Sequence, residues 1–514
     1  MAKRKREEAT AREDAEPRKS QKQTAEALAP ASRDEITIQI VTGSYERVLH
    51  GIAATISQSS LHTTTEKEGG VQFVDTFLFH AHASAIRCLA LSPIADDSSL
   101  AQNVILASGG TDERINLYTL SATTTPTNDS FPSVPTLAGN KILENPKNRE
   151  LGSLLHHSSS ISALYFPTRS KLLASAEDNT ISVTRTRDLS VVSTIKAPRP
   201  KAVGRPSGDT APAGAAPAGI NDFAVHPSMK LMLSVGKGEK CMRLWNLVTG
   251  KKAGVLNFGR DVLETVKEGK WSNGEGKKIV WDSAGQEFAV AFDRGVVVFG
   301  IDSVAKCYIL PSPLTKVHQI KYVQTGDDDA EESSTRELLA VSTEDGRILF
   351  YSTDGGLLEQ GERSNGKSSI AAAQLRCQLG GKEKGQSSRI KDFEFLQTKS
   401  ALGHPRTLII VTAGSDGMVK LWVLDPKELC SNEKSRGAEG KRKKKEKQAS
   451  REGHGPVDVG RLLGTYETGN RITCLKAFML AKAEGDEELY DEFSGLSGDE
   501  EADESESSGE ESES

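Results

Sequence analysis

The sequence predicts an all-β protein in which seven four-stranded blades close into a ring, a β-propeller. Three observations carry that prediction. Short apolar, β-branched runs come in groups of three separated by turn residues, and the groups recur at roughly 40 to 60 residues. A turn containing Asp or Glu stands before the third run of a group, as in Glu177-Asp178-Asn179, Glu344-Asp345-Gly346 and Ser415-Asp416-Gly417. The two ends of the array are incomplete in complementary ways, so a C-terminal strand can complete the N-terminal blade and leave no raw edge.

The clearest group is Asn221–Gly250. Asn221 to Val225 alternates, His226-Pro227-Ser228 turns the chain, and Leu231–Val235 runs back; Gly236-Lys237-Gly238-Glu239-Lys240 then leads into Met242–Leu247. The first group begins at Glu35, with strands at Ile36–Val41, Arg47–Ile52 and Val71–Phe79. Ala85–Ser92, Val104–Ser108 and Arg114–Leu120 form the next, followed by Ser160–Phe166, Lys171–Ser175 and Thr180–Arg185. Beyond the clearest group come Lys278–Asp282, Glu287–Phe292 and Gly295–Ile301, then Val317–Val323, Glu337–Ser342 and Arg347–Tyr351. Ile390–Leu396, Thr407–Ala413 and Met418–Leu424 make the last full group. Gly460–Tyr466 and Arg471–Phe478 follow without a third strand, while the first group lacks one before Ile36. Arg471–Phe478 is therefore expected as the innermost strand of the N-terminal blade.

The period and the acidic turn identify the WD-repeat (WD40) type of propeller. In such repeats a His before the first strand, a Ser or Thr on the second, the turn Asp and a Trp on the third form a hydrogen-bonded network that satisfies buried polar groups. His82, Ser108 and Asp112 fit one blade, with Tyr118 at the Trp place. His157, Ser175 and Asp178 fit the next, with Thr184 there. Trp245 and Trp422 keep the aromatic without a matching His, and Asp345 and Asp416 keep the turn acid. These are structural blade residues rather than a catalytic His/Asp/Ser set.

Catalytic signatures are missing. No GxSxG elbow, HExxH pair or zinc spacing occurs, and Gly274-Glu275-Gly276-Lys277 lacks the upstream Gly and following Ser/Thr of a P-loop. No catalytic, metal or cofactor-binding residue is assigned, and the chain is read as a non-enzyme without a small-molecule substrate. Cys88, Cys241, Cys307, Cys377, Cys430 and Cys474 are scattered and read as reduced thiols. Met1 to Arg6 is basic, but Glu7 and Glu8 follow where a signal sequence would be apolar. No apolar run nears the roughly 18 residues of a membrane span, so a soluble, intracellular protein is expected.

Hydrophobic residues make up only 36% of the 514, which fits an ordered core diluted by polar segments. The net charge of −6 conceals segregated blocks, and the blocks point to partners better than the average does. Residues 1–34 are a charged segment expected to be disordered, headed by Lys3, Arg4, Lys5 and Arg6. The propeller is expected over 35–480, with insertions at 121–150, 198–219, 355–388 and 431–457. The last insertion holds Lys441, Arg442, Lys443, Lys444 and Lys445. Both basic blocks are candidates for nuclear import or for RNA contact through phosphate neutralisation. Residues 481–514 form an acidic tail, also expected to be disordered. There Ser497, Ser507 and Ser508 each have an acid three places on, the pattern acidophilic kinases favour.

Several phrases in different blades resemble one family. They are Gly43-Ser44-Tyr45-Glu46-Arg47, the run Leu106–Glu113, the run Leu151–His157, the stretch Asn221–Gly250, Ser415-Asp416-Gly417 with Lys420-Leu421-Trp422, and Arg471–Leu475. Together they are similar to the fungal maintenance-of-killer WD-repeat protein, whose animal counterpart interacts with p21-activated kinase. The resemblance spans about residues 36 to 480. It implies a nucleolar factor for large (60S) ribosomal subunit assembly, with pre-60S particle proteins as partners and pre-rRNA within reach of the basic segments. It also implies a second role, in which the propeller binds p21-activated kinase and restrains it. The chain departs from the pattern at Gly236–Lys240, which has no Asp at the usual turn place, and in its long loops.

Overall fold

The structure, a computed structural model, describes residues 35–62, 70–94, 103–124, 134–135, 141–199, 219–268, 272–325, 337–354, 370–386, 388–398, 406–430 and 456–481. They form seven antiparallel blades, each with four main strands numbered here from the inside outward. The first blade is Ile86–Leu91, Asn103–Gly110, Ile115–Ser121 and Arg149–Leu154. The second is Ile161–Thr168, Lys171–Ala176, Thr180–Arg185 and Ser190–Lys196, and the third Ile220–Val225, Leu231–Gly236, Cys241–Asn246 and Lys251–Asn257. Lys278–Trp281, Glu287–Ala291, Val296–Gly300 and Ala305–Ile309 make the fourth. The fifth is Val317–Gln324, Glu337–Thr343, Arg347–Ser352 and Gln374–Gly380; the sixth is Ile390–Gln397, Leu408–Gly414, Met418–Leu424 and Arg461–Glu467.

The seventh blade joins the two ends of the array. Ile472–Leu480 pairs antiparallel with Glu35–Ser44, which continues into Val48–Ser57 and Val71–His80. Each innermost strand packs beside the next, and Ile472–Leu480 lies between those of the sixth and first blades, closing the circle.

Why these segments are strands follows from the burial gradient. Middle strands are sandwiched between neighbouring blades and bury both faces, so Leu408–Gly414 is buried at every position. Outer strands reach water, and in Ser190–Lys196 only Ile195 is buried. The core is a set of wedges between blades rather than one centre. Trp281, Phe288, Phe292 and Phe299 fill the wedge between the third and fourth blades, and Ile409, Val411, Leu421 and Leu475 that between the sixth and seventh. Fully burying each such side chain contributes about 1.5–3 kcal/mol.

Stretches expected as plain insertions carry structure. The span 355–388 contains the outer strand Gln374–Gly380 of the fifth blade, and 121–150 overlaps the start of Arg149–Leu154. The insertions after third strands also reach back to the preceding blade. Ala371–Ala372 adds in parallel to Ala305–Ile309, Val457–Asp458 to Gln374–Gly380, and Lys141–Ile142 to Val71–His80. Each covers an outer edge and ties two blades together. Sequence periodicity missed these pieces because two-residue strands have no measurable alternation.

Candidate functional site

The blade networks are built from the turns upward. In the first blade His82 Nδ1 lies 3.0 Å from Asp112 Oδ1, and its Nε2 lies 2.8 Å from Ser108 Oγ. Asp112 also accepts from the Ala83 backbone N–H at 2.9 Å, so one carboxylate pins the entry to the innermost strand. Gly110 sits against this pair: a Cβ there would stand 2.7 Å from His82 Nδ1 and 2.4 Å from Asp112 Oδ1.

The second blade needs a correction. His157 Nδ1 lies 3.2 Å from Asp178 Oδ2, but its Nε2 meets Ser182 Oγ at 2.9 Å, not Ser175. Ser108 precedes its turn Asp by four residues and Ser175 by three, so strand alternation puts them on opposite faces. The residue in register with Ser108 is Ala174, and its cross-strand partner Ser182 supplies the hydroxyl from the third strand. Ser175 bonds instead to Ser162 at 2.8 Å. Burial raises the Asp178 pKa, yet the hydrogen bonds from His157, Thr180 and Ser158 outweigh it and leave the carboxyl well below its usual range.

Trp245 donates from Nε1 to Ser234 Oγ at 2.8 Å, and Trp422 to Thr412 Oγ1 at 3.1 Å. Asp345 accepts from Thr343 and, at 2.9 Å, from Arg347 Nε; Asp416 accepts from the Met418 N–H at 3.2 Å. In the third blade, which has no turn Asp, Glu239 forms an ion pair with Arg243, the residue opposite Ser234. Thr184 is buried and its hydroxyl has no hydrogen-bond partner among the described residues.

The innermost strands of all seven blades line a central channel of about 940 Å³. On one wall it carries a buried ion cluster that sequence reading missed. Lys321 Nζ lies 2.7 Å from Glu394 and 3.7 Å from Asp392, and Lys476 also pairs with Glu394. Asp392 further accepts from the Leu475 N–H at 3.0 Å and from Gln319 at 3.2 Å, linking the fifth, sixth and seventh blades. Burial raises the Asp392 pKa, but the ammoniums of Lys321 and Lys476 outweigh it and hold the carboxylate below its usual range. The available signal was Asp392-Phe393-Glu394-Phe395, with carboxylates on alternate positions of a strand whose other face is apolar.

The remaining sequence-predicted candidates, Lys3, Arg4, Lys5, Arg6, Lys441, Arg442, Lys443, Lys444, Lys445, Ser497, Ser507 and Ser508, lie outside the described residues. Cys88, Cys241, Cys307 and Cys474 are free thiols, and burial pushes Cys88 and Cys307 up to about 12, a range in which a thiol is unreactive. Among the described residues no cluster of His, Cys, Asp and Glu could hold a metal ion, and no helix is long and apolar enough to cross a membrane.

A family profile described as "WD domain, G-beta repeat" matches residues 148–184, which run from the outer strand of the first blade into the third strand of the second. Similar proteins extend much further. The chain is 28% identical to Protein MAK11 of Saccharomyces cerevisiae, over 77% of this chain and 80% of that one. It is 23% identical to a p21-activated protein kinase-interacting protein 1-like of Xenopus laevis, over 77% of each. Shk1 kinase-binding protein 15 of Schizosaccharomyces pombe is 25% identical over 62% of this chain and 69% of its own length. The chain is a seven-bladed WD-repeat propeller similar along most of its length to MAK11 and to the p21-activated protein kinase-interacting proteins.

Proposed function

We propose that this chain is a non-catalytic WD-repeat scaffold in assembly of the large ribosomal subunit, working in the nucleus and nucleolus and binding pre-60S assembly factors. The observation that carries this reading is the length of the similarity to MAK11, which runs across blades and turns alike instead of through one repeat. A rigid ring suits the task, because interlocked wedges and a closed circle hold loops from distant parts of the chain in a constant relation. The basic block Lys441–Lys445 serves nuclear accumulation or contact with pre-rRNA phosphates. Replacing its five residues by alanine is expected to weaken one of these without changing the melting temperature.

A second reading is favoured by the names of three kinds of relative that bind p21-activated or Shk1 kinases: the chain restrains such a kinase by binding it. Affinity purification of the tagged chain separates the two. Large-subunit assembly factors in the eluate, with a fall in free 60S subunits on depletion, support the scaffold. A kinase recovered without those factors, and unchanged subunit profiles, would replace it with the second reading.

A further inference from the structure

Six of the seven innermost strands share an irregularity near their start. Pairing slips by one residue between Ile86 and Cys88, Ile161 and Ala163, Ile220 and Asp222, Val317 and Ile320, and Ile390 and Asp392, and opposite Gly43 and Ser44 for the seventh blade. Such β-bulges leave an extra residue unpaired and re-aim its side chain. They place Arg87, Ser162, Asn221, His318, Lys391 and Thr473 together at the end of the channel where the innermost strands begin, and all of them line it, with Lys277.

Charge around this mouth is lopsided. From the first blade round to the fourth it is matched: Arg87 meets Glu177 at 2.6 Å, Lys237 meets the same carboxylate at 2.5 Å, and Lys277 pairs with Glu275. Where the fifth, sixth and seventh blades meet it is not. Lys316, Arg389 and Arg471 stand just before those three innermost strands, beside His318 and Lys391. Among the described residues Lys391 has no ion-pair partner, and His318 Nε2 is buried without a hydrogen bond. Arg471 lies over the Tyr45 ring at 5.6 Å, and Arg389 has Glu344 at 3.7 Å. Cations outnumber the carboxylates here, which are Glu344 and Glu46, the latter accepting from the Arg471 N–H at 2.9 Å. Burial, then the nearby cations led by Lys391, push His318 down to about 4 against the opposing Glu344, and burial with Arg389 and Arg471 lowers Lys391. An anion seated here would relieve that repulsion.

The deeper channel narrows the choice of anion. Below the mouth, Asp392, Glu394, Lys321 and Lys476 already neutralise one another, so among the described residues this wall offers no second set of free cations to a run of phosphates. One multivalent anion fits; a nucleic-acid backbone, charged at every residue, does not. Several convergent cations suit the three oxygens of a phosphate monoester better than a single carboxylate. We propose that the channel mouth lined by His318 and Lys391, with Arg389 and Arg471 at the starts of the adjoining innermost strands, docks one phosphorylated Ser or Thr side chain presented by an extended segment of a partner protein.

The test uses the full chain and three immobilised degenerate peptide libraries, identical except for a central phosphoserine, serine or glutamate, with single-stranded RNA as competitor. The phosphoserine library is expected to bind at least about tenfold more tightly than the other two. Lys391→Glu should abolish the preference, Lys391→Gln should weaken it, and Lys391→Arg should keep it, all with unchanged melting temperatures. If Lys391→Glu fails to fold, Arg389→Glu and Lys391→Gln carry the test. The His318 ring resonance is also expected to titrate at higher pH once the phosphopeptide is bound. Equal binding to the three libraries, or a preference untouched by the variants that fold, would overturn the proposal. RNA binding that depends on Lys391 without phosphopeptide binding would also overturn it.

Discussion

Tyr466 donates its phenolic hydrogen to Asp75 at 2.5 Å, across 391 residues of chain. The same carboxylate oxygen lies 2.7 Å from His50 Nε2, and all three groups sit where the outer strand of the sixth blade meets the seventh. The seam that closes the ring is thus fastened twice, by the innermost strand Ile472–Leu480 and by this polar triad nearer the rim.

The triad makes the first prediction. Burial raises the Asp75 pKa, but the hydrogen bonds from His50 and Tyr466 outweigh it, so the carboxyl is held below its usual range. A depressed carboxylate contributes stability that is present above its unfolded pKa and lost as pH falls through the folded one. Tyr466→Phe is expected to cost about 1–3 kcal/mol at neutral pH. The penalty should shrink below about pH 4, where the carboxylate is protonated in the unfolded chain. Urea unfolding at pH 7 and pH 3.5 measures both.

Ser182 and Ser175 are distinguishable by mutation. Ser182 meets both His157, at 2.9 Å, and His156, at 2.7 Å, whereas Ser175 serves one serine hydroxyl and a strand carbonyl. Ser182→Ala is expected to destabilise by about 2–3 kcal/mol and Ser175→Ala by about 1 kcal/mol. Denaturant midpoints for the pair decide; equal losses would restore Ser175 to the network.

Two histidines add to the acid limb of the stability profile. Burial, then the neighbouring His157, lowers His156 to about 4, and burial with nearby cations does the same to His318. For a His with a lowered folded pKa the unfolded chain takes up protons first, so stability falls as pH drops from about 6.5 toward 4. Melting temperature measured across that window should decline in the wild type. The decline should be shallower in His156→Asn and His318→Gln.

Closure carries the last prediction. Leu475 is fully buried in the wedge between the sixth and seventh blades, and its backbone N–H donates to Asp392. Leu475→Ala is expected to cost about 2–5 kcal/mol. Removing residues 471–481 entirely leaves the inner edge of Glu35–Ser44 unpaired and the ring open, and should abolish cooperative unfolding, as followed by circular dichroism. A Leu475→Ala variant that melts like the wild type would show that the ring does not depend on this strand.

Strand positions and the joining of the two ends were legible because both are local. A strand of five to eight residues writes its own alternation and turns into the sequence, and an array missing one strand at each end announces what would complete it. His82, Ser108 and Asp112 were legible for the same reason, since a His, a strand and a turn recur at set spacing. What the tertiary structure alone decided were partnerships between residues far apart in the chain. Ser182 in place of Ser175, Tyr466 on Asp75, the Lys321–Glu394–Lys476 cluster and the cations gathered around Lys391 all depend on which blades become neighbours and which face a side chain takes. Periodicity fixes neither: a shift of one residue sends a side chain to the opposite face, and blade adjacency exists only once the ring has closed.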